Sequence, residues 1–282
     1  MLDSHLTAKL AHLHQIFKEC ERVLVAYSGG IDSTLVAKVA FDVLGDQAIA
    51  VTANSPSLLP TDLESAITQA VEIGITHQVI TTAEMENPNY TSNPVNRCYF
   101  CKSELHDRLK PLAQELGYDY VIDGLNADDL KDYRPGIAAA KERGVRSPLA
   151  EVGITKLEVR MLSKYLHLPW WNKPSQPCLS SRFPYGESIT ISKLQRVGNA
   201  EQHLRTLMGN EIDLRVRSYG DTAQIEIPVE VIPSFVAEID FSQLVLSFKQ
   251  FGFQTVTLDL EGFRSGKLNQ VLDQVLEMGS KT

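Results

Sequence analysis

The six residues Ser28-Gly29-Gly30-Ile31-Asp32-Ser33 constrain this chain more than any other stretch, because of what flanks them. Upstream, Arg22-Val23-Leu24-Val25-Ala26-Tyr27 is a short apolar run with the character of a buried strand, and downstream Ile31 to Leu44 reads as helix. Strand, tight glycine turn and helix open a βαβ unit, and the following residues repeat the alternation. Ala48 to Ala53 reads as a strand, Thr61 to Ile73 behind Pro60 as a helix, His77 to Thr82 as a strand and Cys101 to Leu116 as a helix. Tyr120-Val121-Ile122-Asp123-Gly124 is another buried strand ending in a glycine turn. Ahead of them, Leu6, Leu10, Leu13, Phe17 and Cys20 form the apolar stripe of an amphipathic helix, which assigns Cys20 to the core as a small hydrophobe. Continuous apolar strands separated by helices predict an α/β fold, a parallel sheet with helices on both faces.

From about Ile189 the pattern changes. Leu214-Arg215-Val216-Arg217 and Ala223-Gln224-Ile225-Glu226-Ile227 alternate apolar and polar residues around Tyr219-Gly220-Asp221, which predicts an antiparallel hairpin with one wet face. A helix from Ser242 to Phe251, a strand Thr255 to Leu258 and a final helix from Lys267 complete a smaller α+β unit. The expected domains are residues 1–187 and 188–282.

Composition narrows the partners. With 27 Lys and Arg against 35 Asp and Glu, the net charge is −8 and both halves share the deficit, so no nucleic-acid partner is expected. No basic segment followed by an apolar run opens the chain, and no stretch approaches the roughly 18 to 20 apolar residues of a membrane span. The expectation is a cytoplasmic protein without a membrane partner, in which cysteines serve as metal ligands, nucleophiles or core residues more often than disulfides.

The glycine turn sits where a strand feeds a helix, so its amides and the hydroxyls of Ser28 and Ser33 converge on the positive end of that helix, a ready anion site. It is neither a Walker A loop, for no lysine follows, nor a GxGxxG fingerprint. The pattern Ser-Gly-Gly-x-Asp-Ser after the first strand resembles the PP-loop ATP pyrophosphatases, Rossmann-like enzymes that cleave ATP to AMP and pyrophosphate to activate a carbonyl oxygen. That resemblance implies that Ser28, Gly29, Gly30, Asp32 and Ser33 bind ATP phosphates. It also implies that Asp128, in Asp123-Gly124-Leu125-Asn126-Ala127-Asp128-Asp129, helps hold magnesium; helix N-capping by Asn126 or Asp128 is the alternative. A carboxylate is a poor electrophile, and adenylation gives it a leaving group that a modest nucleophile displaces.

The nucleophile turns on three cysteines. Cys98-Tyr99-Phe100-Cys101 puts two thiols on one short turn, and Cys178 lies in a proline-interrupted loop. The CxxC fits a redox pair, half of a zinc site that His106 completes with Cys178, or two ligands of an iron–sulfur cluster. Three thiolates would leave one iron of a 4Fe-4S cluster open to an exogenous sulfide.

Lys173 to Gly186, containing Cys178-Leu179-Ser180-Ser181-Arg182-Phe183-Pro184-Tyr185-Gly186, is similar, together with Asp132-Tyr133-Arg134-Pro135-Gly136 and Gly262-Phe263-Arg264-Ser265-Gly266, to the LarE family of ATP-dependent sulfur transferases. The likeness runs over nearly the whole chain. It implies adenylation of the carboxylates of pyridinium-3,5-biscarboxylic acid mononucleotide and their conversion to thiocarboxylates, the sulfur arms of the nickel-pincer cofactor of lactate racemase. In one branch of the family a single cysteine, at the position of Cys178, surrenders its sulfur. The presence of Cys98 and Cys101 matches the other, in which Cys98, Cys101 and Cys178 hold a 4Fe-4S cluster and are the catalytic residues. The resemblance further implies ATP and Mg2+, a homo-oligomer such as a hexamer, a sulfide donor and a downstream nickel-inserting protein. Arg215 and Arg217, two residues apart on one hairpin face, suit bidentate capture of the mononucleotide phosphate. Ser181, Arg182 and Arg264 are further candidate substrate ligands. Trp170 and Trp171 are expected to pack beneath the Cys178 loop rather than to form a stacking platform, and Glu201 and Glu226, which the resemblance puts where the family can bind a metal between subunits, are expected to be ordinary surface carboxylates. A tRNA thiolase of the same superfamily, an ammonia-using synthetase and a nucleotide-binding iron or redox sensor without turnover are the competing readings.

Overall fold

The computed structural model describes residues 2–174, 177–209, 212–264 and 267. The final helix expected beyond Lys267 and the positions Ser175, Gln176, Ser265 and Gly266 of the quoted motifs lie outside the described residues. The chain divides into two compact units, Met1–Gln176 and Pro177–Thr282. The division precedes the expected 187/188 boundary, because the stretch after Pro177 is tied into the second unit by Arg182, whose guanidinium grips Glu201.

In the first unit the elements are α1 (Ser4–Cys20), β1 (Val23–Ala26), α2 (Ile31–Leu44), β2 (Ala48–Asn54), α3 (Pro60–Ile73), β3 (Thr76–Thr81), α4 (Pro88–Thr91), α5 (Arg97–Leu116), β4 (Tyr120–Ile122), α6 (Pro135–Glu142), α7 (Pro148–Val152) and α8 (Lys156–Tyr165). The strands form a four-stranded sheet in the order β3-β2-β1-β4, with every pairing parallel. Alternation along β1 explains why its apolar run is unbroken. Val23 and Val25 join the core with α1, α2 and α3, while Leu24 faces the opposite layer with Leu109 and Ala113 of α5. Both faces are therefore covered, as the sequence predicts. Cys20 is buried in the first of these cores.

One boundary differs in a way that matters. Helix α5 starts at Arg97, so Cys98 and Cys101 stand one helical turn apart inside it rather than on a separate turn. Arg97 is buried and donates to Asn93 Oδ1 at 2.7 Å, which anchors the helix start upstream of the cysteines.

The second unit contains α9 (Ile191–Met208), β5 (Arg215–Tyr219), β6 (Thr222–Glu226), α10 (Ile232–Glu238), α11 (Phe241–Gln250) and β7 (Thr255–Leu258). β5 and β6 form the expected antiparallel hairpin, and β7 adds alongside β6 in parallel. The expected wet face is not wet: Arg215, Arg217 and Glu226 are all buried. Charges that pair with one another give the alternating pattern of a solvated strand while being removed from water, and the period alone does not distinguish the two cases. Among the described residues no single helix is long and apolar enough to cross a membrane.

Candidate active site

The glycine turn is built by short-range hydrogen bonds. Gly30 is the N-cap of α2 and has no side chain to cap with, so the helix's first amides stay available to a ligand. Ser33 Oγ donates to Gly30 O at 3.0 Å and accepts from Ser28 N at 3.2 Å, and the Ser28 and Ser33 hydroxyls lie 3.1 Å apart. Gly29 stands at φ 68°, and a Cβ there would come within 2.8 Å of Ala66 Cβ, so both handedness and space require glycine. Beneath the turn, Gln69 Oε1 accepts from the Tyr27 hydroxyl at 3.2 Å and from Thr34 Oγ1 at 2.9 Å. Burial pushes the Tyr27 phenol up to about 12, so it stays a donor.

The strand order places this turn at a switch point, since β2 and β4 flank β1 on opposite sides and the chain crosses over in opposite senses to reach them. Ligands of open parallel sheets bind in the crevice at such points, outside the carboxyl ends of the strands. The loop after β4 meets the turn there. A Cβ on Gly124 would lie 2.7 Å from Ser33 N, so this glycine permits the loop to pack under the first turn of α2. Asp32 accepts from Asn126 Nδ2 at 3.1 Å and from the Lys156 ammonium. Asp128 Oδ2 accepts from Lys156 N, the first amide of α8 beyond its Thr155 N-cap, at 2.9 Å, and that amide together with Lys131 holds its carboxyl below the usual range. Burial pushes the neighbouring Asp129 carboxyl up, with the Asp32 charge adding to the shift against Asn126 N–H and Arg134.

The carboxylate oxygens of Asp32 and Asp128 suit a hard cation that takes most of its ligands from phosphates and water. Among the described residues no group of three or more His, Cys, Asp or Glu is arranged to hold a metal by itself.

Cys98 is exposed and Cys101 half-buried on α5, and Arg97 Nη2 points at Cys98 Sγ from 3.9 Å. Two accessible thiols one turn apart fit the donor chemistry of an iron–sulfur or zinc site. His106 does not join them. It is buried with both ring nitrogens lacking a hydrogen bond, and burial, with Lys102 and Arg143 adding, drives its pKa down to about 3.

In the second unit Cys178 is half-buried at the start of a short turn of helix, Leu179–Arg182. Its carbonyl accepts from Ser181 N at 3.0 Å, from Ser181 Oγ at 2.9 Å and from Arg182 Nη1 at 3.5 Å, which fixes the backbone that carries the thiol. Arg182 grips Glu201 through two bonds of 2.6 and 3.0 Å, and Arg217 donates to Glu226 at 2.8 Å and to Ser181 O at 3.0 Å. Glu201 and Glu226 are fully buried, which corrects their reading as surface carboxylates. Burial works against the Arg182 charge, and Glu201 reverses the balance and raises its pKa. Arg215 lies over the Phe263 ring at 4.6 Å, and burial followed by the charges of Arg182 and Arg217 lowers its pKa to about 10. An anion beside it would relieve that repulsion. Arg264 pairs with Glu261 at the surface. Trp170 packs against the first unit's core and Trp171 lies beneath Lys164, both packing roles.

The structure thus gathers Ser28, Gly29, Gly30, Asp32, Ser33 and the loop of Asp128 at one crevice, places Cys98 and Cys101 one turn apart, ties Ser181 and Arg182 to the backbone of Cys178, and sets Arg217 on the Ser181 carbonyl with Arg215 within the field of Arg182 and Arg217. Lys156 was not foreseen at the turn. It arrives from 124 residues away, and no local spacing announces it.

Comparison with known proteins extends this picture. A family model described as NAD synthase matches residues 6–109. The chain is 65% identical over 267 residues to the uncharacterized protein slr1717 of Synechocystis, covering 95% of this chain and 99% of that one. It is 40% identical over 268 residues to the pyridinium-3,5-bisthiocarboxylic acid mononucleotide synthase of Lactiplantibacillus plantarum, covering 95% and 96% of the two chains. To the uncharacterized protein MJ0830 of Methanocaldococcus jannaschii it is 30% identical over 254 residues, covering 90% and 95%.

Proposed function

Because the chain belongs to the LarE family of pyridinium-3,5-bisthiocarboxylic acid mononucleotide synthases, we propose that it adenylates the carboxylates of pyridinium-3,5-biscarboxylic acid mononucleotide and exchanges oxygen for sulfur, toward the nickel-pincer cofactor of lactate racemase. The observation that carries the reading is the donor-lined turn of Ser28 to Ser33 at the β1/β4 switch point, an anion site on the end of α2. In this reading Ser28, Ser33 and the amides of Gly29 and Gly30 hold the ATP phosphates, and Asp32, with Asp128 nearby, takes the magnesium that accompanies them. A substrate carboxylate oxygen attacks the α-phosphorus, the bond to pyrophosphate breaks, and pyrophosphate leaves with the electron pair. The acyl adenylate then accepts a sulfur nucleophile at carbon, and AMP departs with the former carboxylate oxygen.

Arg215 and Arg217 hold the mononucleotide phosphate, with Arg264 a further substrate contact. Ser181 and Arg182 act through Cys178, whose carbonyl they fix. A 4Fe-4S cluster on Cys98, Cys101 and Cys178 supplies, when bound, a metal-held sulfide that is nucleophilic at neutral pH. Without it, the Cys178 thiolate attacks the adenylate, loss of the Cα proton then breaks its Cβ–S bond, and the sulfur leaves with the substrate while dehydroalanine remains. Assembly into a homo-oligomer belongs to the same reading.

The test is to incubate the protein with ATP, magnesium and the pyridinium dicarboxylate and to follow product by mass spectrometry. Thiocarboxylate with AMP and pyrophosphate is expected. Pyrophosphate release that requires tRNA and ignores the pyridinium compound would replace this reading with that of a tRNA thiolase.

A further inference from the structure

The anion turn has no cation of its own. Its one charged side chain, Asp32, is negative and bridged to Lys156. A polyphosphate bound there needs positive charge from elsewhere, and the fold brings a second lysine to the place. Lys173, from the stretch after α8, directs its ammonium at the turn, 3.4 Å from Gly29 O and 3.2 Å from Ser65 Oγ. Two features fix this position. Gly29 lies against Ala66, so the turn and α3 form one wall that the ammonium closes. Ser65 Oγ also accepts from Gln69 Nε2 at 3.0 Å, and Gln69 is the buried residue on which Tyr27 and Thr34 converge.

We propose that Lys173 binds the β- and γ-phosphates of ATP on the turn and remains with the departing pyrophosphate; the proposal rests on the adenylating reading above. A lysine stem of four rotatable carbons carries the ammonium from the Gly29 carbonyl to an anion on the adjoining amides by side-chain rotation alone. When the bond from the α-phosphorus to the bridging oxygen breaks, the electron pair passes to pyrophosphate, whose negative charge grows. A cation placed on that side stabilises the transition state more than bound ATP, which is what accelerates a step. The AMP half gains no such charge, so the contact distinguishes the two halves of the nucleotide.

The test measures binding of inorganic pyrophosphate and of AMP by calorimetry to the full chain and to Lys173→Gln, Lys173→Arg and Ser65→Ala. Lys173→Gln is expected to weaken pyrophosphate about tenfold or more, the scale of a charged hydrogen bond, and to leave AMP within about twofold. Lys173→Arg restores most of the affinity. Ser65→Ala, which removes the anchor and keeps the ammonium, loses less than Lys173→Gln. Equal pyrophosphate affinity in wild type and Lys173→Gln, equal losses for both ligands, or Ser65→Ala matching Lys173→Gln would overturn the proposal. A wild-type protein that binds neither pyrophosphate nor ATP would contradict the adenylating reading itself.

Discussion

The two polar centres of this protein solve opposite problems. The turn of the N-terminal unit keeps neutral donors available at the end of a helix, with Asp32 and Lys156 both partly accessible at 24% and 36% exposure. The arginine cluster of the C-terminal unit removes full charges from water, with Arg182 and Glu201 at 3% and 0%. The same Asp or Glu to basic pairing therefore carries different weight in each. A screened pair contributes little to stability and stays ready to exchange partners, whereas breaking a buried pair strands an uncompensated charge.

Removing sulfur chemistry while sparing both centres gives the largest expected effect. Cys178→Ala is expected to lower thiocarboxylate formation by about three orders of magnitude or more while pyrophosphate release persists; parallel loss of both would mean that the residue serves folding or nucleotide binding instead. Glu201→Gln is expected to cost about 3–5 kcal/mol in urea denaturation, whereas Asp32→Asn costs about 1 kcal/mol or less and acts on ATP binding. Equal stability losses would break the contrast. Gly29→Ala places a methyl 2.8 Å from Ala66 Cβ on a residue at φ 68°, and about 1–3 kcal/mol of strain should weaken ATP binding without touching phosphate-analogue binding to the second unit.

These expectations also show what the sequence could reveal. The turn was legible because its chemistry occupies six consecutive residues between a strand and a helix, and the parallel sheet followed from unbroken apolar runs such as Val23 to Ala26. The arginine cluster was half legible. Arg215 and Arg217 were placed on one hairpin face, but their burial was hidden, because hydropathy cannot show that the charges of Arg217 and Glu226 cancel across the hairpin. Lys156 and Lys173 carried no signal as turn residues, since their contacts with it span 124 and 144 residues. The start of α5 was missed because Arg97, a buried arginine, reads as a surface residue.

The smallest effect concerns acid. Above about pH 6.5 His106 is neutral whether folded or not. Below it the unfolded chain takes up a proton that the folded protein refuses until about pH 3, so stability falls as pH falls through that window. The slope is up to about 1.4 kcal/mol per pH unit. His106→Leu should flatten this limb in denaturation curves between pH 6 and 4, and an unchanged slope would show that His106 titrates normally in the folded state.

The most direct test of the central claim follows an oxygen atom. With the substrate carboxylates labelled with oxygen-18, attack on the α-phosphorus carries one labelled oxygen into AMP for each sulfur installed. Labelled AMP, in step with pyrophosphate and thiocarboxylate, is the predicted result. Thiocarboxylate formed with unlabelled AMP would show that activation does not pass through an acyl adenylate on this turn.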